Sequence, residues 1–195
     1  ILRCVNTYLL SQPLQTAIQH RHSLGVAGGT DVFRYSLDLN AAFQPGVMKG
    51  SENRTQGINF GMTYLKERFV MRASINLSQS QGQNSPYGSF SQYTSLNPYY
   101  PTTDENGKYQ QELDNYRGMI ITNPLYNANI GIKDETSNFT IASNINLEYM
   151  IMKNLRVTGQ LSYTRGMATT DKFLPSNHTS FVTETDLTRK GSYNK

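Results

Sequence analysis

The chain has 195 residues, of which 37% are hydrophobic and 16% charged, with a formal net charge of +4 at neutral pH. No stretch approaches the roughly 20 consecutive apolar residues of a spanning helix, and Ala, Glu, Leu and Lys do not dominate as they would in a coiled coil. The 18 Lys and Arg are scattered rather than gathered into the basic stripe of a nucleic-acid binder, and 13 Tyr with 8 Phe argue against disorder.

Near the start, the single Cys4 excludes an intrachain disulfide framework. The residues before it, Ile1-Leu2-Arg3, lack the basic-then-apolar order of a lipoprotein signal. Starting at Ile1 rather than Met is what a processed or truncated chain would show. Beyond this point the dominant signal has period two, which puts alternate side chains on opposite faces of a sheet. A short run sets Leu24 and Val26 against Ser23 and Gly25. Next, Phe33, Tyr35, Leu37, Leu39, Ala41 and Phe43 alternate with Arg34, Ser36, Asp38, Asn40 and Ala42. Ile58, Phe60, Met62 and Tyr64 oppose Asn59, Gly61 and Thr63; then Phe69, Met71, Ala73, Ile75 and Leu77 oppose Val70, Arg72, Ser74, Asn76 and Ser78. Later, Phe139, Ile141, Ile145, Leu147, Tyr149 and Ile151 face away from Thr140, Asn144, Asn146 and Glu148. The last run sets Leu155, Val157, Leu161 and Tyr163 against Arg156, Thr158, Gln160 and Ser162.

Most of these runs are about 10 to 12 residues, roughly twice the usual strand of a soluble domain. At about 3.3 Å per residue and a tilt of about 40°, each covers roughly 28 Å, the height of an outer-membrane apolar band. Short connections around residues 28–31, 65–68 and 152–154 alternate with longer ones after Gln44, Gln83 and Phe173. The longest extends over about residues 84–137. An up-and-down barrel needs that alternation, with tight periplasmic turns and long outer loops. Phe33, Tyr64, Phe69, Phe139 and Tyr149 lie near strand ends, where aromatic rings favour a membrane interface. The fold expected is therefore all-β, an antiparallel up-and-down transmembrane β-barrel segment. The alternative is a soluble or surface-attached β-sandwich ligand-binding module, whose strands are normally shorter and turns more equal.

On the other face, Asp38, Asn40, Asn59, Asn76, Asn144, Asn146, Glu148 and Gln160 would be costly in a dry core but suit a wet lumen. Six strands do not close around a lumen, since bacterial barrels start at eight. The expectation is a chain that is incomplete or one part of an assembly.

Several motifs carry a more specific likeness. They are His20-Arg21-His22-Ser23-Leu24 leading to Gly28-Gly29-Thr30 and Phe33-Arg34-Tyr35, then Gly46-Val47-Met48-Lys49-Gly50-Ser51. Asn84-Ser85-Pro86-Tyr87-Gly88-Ser89-Phe90, Asn97-Pro98-Tyr99 and Asp104-Glu105-Asn106-Gly107 follow. Asn123-Pro124-Leu125-Tyr126-Asn127, Leu174-Pro175-Ser176 and Arg189-Lys190-Gly191-Ser192-Tyr193 complete the series. In this order and spacing the chain resembles the SusC/RagA family of TonB-dependent outer-membrane transporters over nearly its whole length. The resemblance implies an early stretch, 1–195, of a 22-stranded barrel in a longer chain that also has a plug and a TonB-contacting segment. It further implies a SusD-like lipoprotein lid, oligosaccharide or peptide cargo, energy from the TonB complex, and location in a Gram-negative, Bacteroidetes-like outer membrane, in contact with its lipid. The plug and TonB-binding segment have no counterpart here, and Ile1–Leu10 departs from the pattern in lacking a Trp before the first strand.

Within that frame, Arg34, Arg72 and Arg156 fall on the polar face close to short turns, where they are candidates to hold the plug through charge-assisted hydrogen bonds, against simple solvation in the lumen. Seven loop tyrosines, Tyr87, Tyr93, Tyr99, Tyr100, Tyr109, Tyr116 and Tyr126, are candidates for cargo or lid contact, against the plainer expectation that they pack the loop on itself. No enzyme, cofactor, metal or nucleic-acid site is expected. His20 and His22 share a strand face with no carboxylate or Cys to complete a four-ligand set, and His178 stands alone. There is no Gly-x-Ser-x-Gly elbow, and Asp104, Glu105, Asp114, Asp134 and Glu135 read as solvated loop charges. Asn-x-Ser/Thr triplets at Asn53, Asn76, Asn138 and Asn177 are what an Asn- and Thr-rich chain produces by chance.

Overall fold

The computed structural model describes residues 8–195, so Cys4 and the expectations attached to residues 1–7 lie outside it. Strand β1 (His20–Gly29) turns through residues 30–32 into β2 (Phe33–Pro45), and residues 46–51 lead to β3 (Glu52–Lys66). A two-residue turn, Glu67–Arg68, leads to β4 (Phe69–Gln83). The long connection that follows has structure of its own: α1 (Phe90–Thr94), the hairpin β5 (Glu112–Tyr116) and β6 (Met119–Thr122), and α2 (Pro124–Asn127). Strands β7 (Lys133–Met152) and β8 (Leu155–Leu174) come next, and a short β9 (Ser192–Asn194) closes the series.

All six strands expected from the alternation are present, in one antiparallel sheet of order β1-β2-β3-β4-β7-β8-β9. The structure departs from the expected pattern in four respects. β9 adds a seventh strand, a separate two-stranded sheet sits inside the long loop, and that loop ends at residue 132 rather than 137. Strands β7 and β8 run to 20 residues each, well past the 10 to 12 expected. Their extensions are polar, with Lys133, Asp134, Glu135, Asp171 and Lys172 in place of alternating apolar residues. Backbone ladder bonds to the neighbouring strand continue the pairing where side-chain periodicity stops.

Register converts the separate alternations into two coherent faces. One row across the sheet reads Leu24, Leu39, Ile58, Leu77 and Ile141; the next reads Val26, Leu37, Phe60 and Ile75. Toward the short turns come Tyr35, Met62, Ala73, Ile145 and Leu161, then Phe33, Tyr64, Met71 and Leu147. Aromatic rings border this end: Phe33 pairs with Tyr64, Phe69 with Tyr149, and the Tyr64 and Phe69 rings are 6.2 Å apart. Gly28 belongs here too. A methyl group at this position would come within 2.8 Å of the Tyr35 hydroxyl, so the missing side chain lets the tyrosine ring lie across β1.

The opposite face is polar and small, with a central row of Asp38, Asn59, Asn76 and Ala142 and another of Ser36, Gly61, Ser74, Asn144 and Ser162. Among the described residues no second layer packs on either face. Leu161 keeps 67% of its surface exposed, Leu24 60% and Val157 53%. The sandwich alternative, which requires a second sheet over the apolar face, has no counterpart among the described residues. No helix is long and apolar enough to cross a membrane, which says nothing of crossing by strands.

Candidate functional site

Two regions collect the residues singled out in the sequence: the folded loops at one end of the sheet, and the polar wall near the short turns. The loops are built first from local chemistry. Pro124 opens α2 at a position that needs no N–H, and Asn123 before it caps the helix, its side-chain oxygen accepting from the Leu125 N–H at 3.1 Å. The Asn123 amide nitrogen donates to the Thr102 carbonyl at 2.9 Å and the Gln110 carbonyl at 2.8 Å. Asn123 is fully buried, so these three bonds tie residues 102, 110 and 125 around one side chain.

Packing then joins distant segments. Leu9, Tyr93 and Leu125 form a buried cluster against which Leu10, Met48, Tyr87 and Leu96 pack. The segment around Leu9 is held to the 46–51 connection by bonds from the Lys49 N–H to the Pro13 carbonyl at 2.7 Å and from the Gln15 N–H to the Val47 carbonyl at 2.9 Å. A further clasp joins the long loop to residues 175–191. The Asn127 amide donates to the Thr179 hydroxyl at 2.6 Å and its oxygen accepts from the Thr179 N–H at 3.1 Å. Asn177 donates to the Tyr126 hydroxyl at 3.1 Å, and Gln111 donates to the Asn177 carbonyl at 2.9 Å.

The seven tyrosines therefore divide. Tyr93 is 1% exposed, and its hydroxyl donates to the Tyr87 carbonyl at 2.9 Å. Burial, with Tyr87 and Tyr109 adding to it, pushes that hydroxyl's pKa well above its usual value. Tyr93 is a core residue of the loop assembly, which corrects its assignment as a contact residue. Tyr87 is half-buried against the same cluster, 5.9 Å from the Lys49 ammonium, and Tyr126 is half-buried in the clasp. Tyr100 is half-buried, and its pKa is raised by burial first and then by the Asp114 carboxylate to which it is hydrogen-bonded. Tyr99, Tyr109 and Tyr116 stay exposed, Tyr99 at 69%. Tyr116 lies at the tip of the β5–β6 hairpin beneath the Arg117 guanidinium, 5.2 Å from its ring. In the sequence Asn123 and Asn127 stand out only as part of a family-like motif, with no structural role attached, and Thr179 does not stand out at all. The Asn-Pro cap signature marks the first, whereas the clasp joins residues more than 50 positions apart and leaves no local signal.

On the polar wall, Arg34 and Arg72 flank Thr63 in a single row that continues to Asn146 and Gln160. They border a shallow cleft of about 260 Å³ whose floor is Ser36, Gly61 and Ser74. Among the described residues neither guanidinium has an ion-pair or hydrogen-bond partner. Arg156 stands apart on β8, where its guanidinium donates to Glu148 at 3.0 Å. The three arginines thus form one open pair and one occupied ion pair. Among the described residues no three His, Cys, Asp or Glu side chains converge as a metal site requires.

No protein-family profile matches the chain, and no curated protein does. Solved structures do. The RagAB peptide importer in its "closed-closed" and "open-open" states matches with a TM-score of 0.68 and 13% identity in each case. The match covers 88% of this chain and 20% of that chain, so this chain spans about a fifth of the length of the importer chains it resembles. At that identity the likeness speaks for the fold.

Proposed function

We propose that this chain is a piece of the wall of a TonB-dependent outer-membrane importer. The observation that carries the reading is the apolar face: six strands in register present one continuous hydrophobic surface, and none of the described residues covers it. An open single-layer sheet with such a face is unstable in water and needs a cover of comparable polarity. Hydrocarbon supplies it, while the small, polar opposite face suits a wet lumen or a hydrated plug. Two further features agree: tight turns at one end with folded loops at the other, and an aromatic border at the short-turn end.

In this reading the loops face outward and the short turns face the periplasm. A SusD-like lipoprotein covers the mouth, and oligosaccharide or peptide cargo passes through under energy from TonB. Tyr99, Tyr109 and Tyr116 are the exposed tyrosines left for cargo or lid, and the unpaired Arg34 and Arg72 receive an acidic group of the plug. The wall itself has no catalytic role and needs no cofactor.

Fractionation of the full-length protein tests this. An embedded barrel stays with outer membranes through a carbonate wash and migrates faster on gels before heating than after. Release by carbonate, or mobility unchanged by heat, refutes the barrel.

A further inference from the structure

On the apolar face, β1, β2 and β3 bring His20, Phe43 and Arg54 into one row and His22, Ala41 and Gln56 into the next. The His20 ring stands 5.3 Å from Phe43 and 5.2 Å from His22, while the Arg54 guanidinium covers the other side of Phe43 at 5.3 Å. Because Ala41 is small, a cleft of about 290 Å³ opens between these side chains. The row below is Leu24, Leu39 and Ile58, so the cleft sits where the apolar stripe ends on the loop side.

We propose that His20, His22 and Arg54 bind the phosphate of an anionic lipid of the outer leaflet, with its acyl chains lying along Leu24, Leu39 and Ile58. The inference rests on the barrel reading above. Among the described residues the His20, His22 and Gln56 side chains have no hydrogen-bond partner. Arg54 is paired with Glu52 at 2.8 Å through one nitrogen, leaving its other N–H groups for a ligand. Glu52 is the one acid on the outward positions of these three strands, and β2 contributes no charged group there. Each imidazole can donate a ring N–H to a phosphate oxygen. A free anion would gain nothing from the leucine floor. A lipid uses donors and floor together, and in a barrel wall this is the depth at which headgroup gives way to chain.

The test uses the full-length transporter in neutral detergent, with monophosphorylated lipid A as probe and native mass spectrometry as readout. The triple variant His20→Gln, His22→Gln, Arg54→Gln should bind the probe about tenfold more weakly, the loss expected for charge-assisted hydrogen bonds. Ala41→Phe fills the cleft without altering charge and should lose binding similarly. Heat-modifiable mobility of each variant confirms that its barrel has formed. If either folded variant binds lipid A as the parent does, this site is overturned while the barrel stands. Displacement of lipid A by millimolar inorganic phosphate overturns the lipid assignment in favour of a free-anion site. A parent protein lacking heat-modifiable mobility removes the barrel reading, and this inference with it.

Discussion

The sheet and the loops solve the problem of apolar surface in opposite ways. In the sheet, large side chains such as Leu161, Leu24 and Met167 stay more than half exposed, and the strands cohere through ladder bonds and cross-strand pairs. In the loops, Leu9, Tyr93, Leu113 and Leu125 are buried, forming the apolar core of the described chain. The difference follows from the medium each region is built for. On the proposed barrel reading, a wall between lipid and lumen needs no interior, because hydrocarbon would cover one face and water the other. A loop assembly standing in water must bury apolar groups in itself or remain unordered.

Substitutions should therefore act differently in the two regions. The largest effect is expected for Tyr93→Ala. Removing a fully buried ring should cost the loop assembly about 3–5 kcal/mol. Limited proteolysis of the full-length protein should then cut within residues 84–132 while the barrel keeps its heat-modifiable mobility; loss of both together would show that the regions are not separable. Next comes Phe60→Lys, which places a charge on the apolar face, at a cost of about 2–4 kcal/mol if that face meets lipid near mid-depth as proposed. Asn59→Lys on the other face should change stability by no more than about 0.5 kcal/mol. Equal assembly yields for these two neighbours would abolish the distinction between faces.

Asn123→Ala should weaken the loops by about 1–3 kcal/mol, since the carbonyls at 102 and 110 lose the Asn123 amide and the buried 102 carbonyl keeps only the Gln110 N–H. Hydrogen exchange over residues 102–125 reads that loss. Among the tyrosines, Tyr99→Ala or Tyr116→Ala should lower uptake without loosening the loops, and Tyr126→Phe should loosen the clasp first. Uptake unaffected by either exposed-ring variant would leave those rings without a role in transport.

The smallest effect concerns pH. Burial and the nearby Lys172 lower the His178 pKa from its ordinary 6.5, and its Nδ1 accepts from the Ser180 N–H at 3.1 Å. A lowered folded-state pKa means the unfolded segment takes up protons more readily. The stabilising contribution is present above pH 6.5 and is lost as pH falls through the folded value. Hydrogen exchange over residues 175–191, corrected for intrinsic rates, should show weaker protection in acid, and His178→Gln should remove the dependence.

How far the sequence could be read tracks which interactions are local. Alternation from Phe33 to Phe43 announces both a strand and its outward face, because side-chain direction in a strand has period two. The polar extensions of β7 and β8 carry no such announcement, since the bonds that order them come from the neighbouring strand's backbone. The loop was legible as a long connection rich in tyrosine. Its internal order was not, because Leu9, Tyr93 and Leu125 meet only after three separate segments have folded together. The arginines show the same limit: periodicity placed all three on the polar face, but only register separates the open Arg34 and Arg72 from Arg156, which Glu148 already holds.

The amino-acid pattern by itself determined the strands, their two faces and the alternation of tight turns with long loops, since each is set by residues one or two positions apart. Tertiary structure alone decided that the apolar runs align into one continuous surface with no layer of described residues over it. It also decided which tyrosines are spent inside the loops and which stay free. Those outcomes depend on contacts between residues tens of positions apart, and such contacts exist only once the backbone ladders have fixed the register.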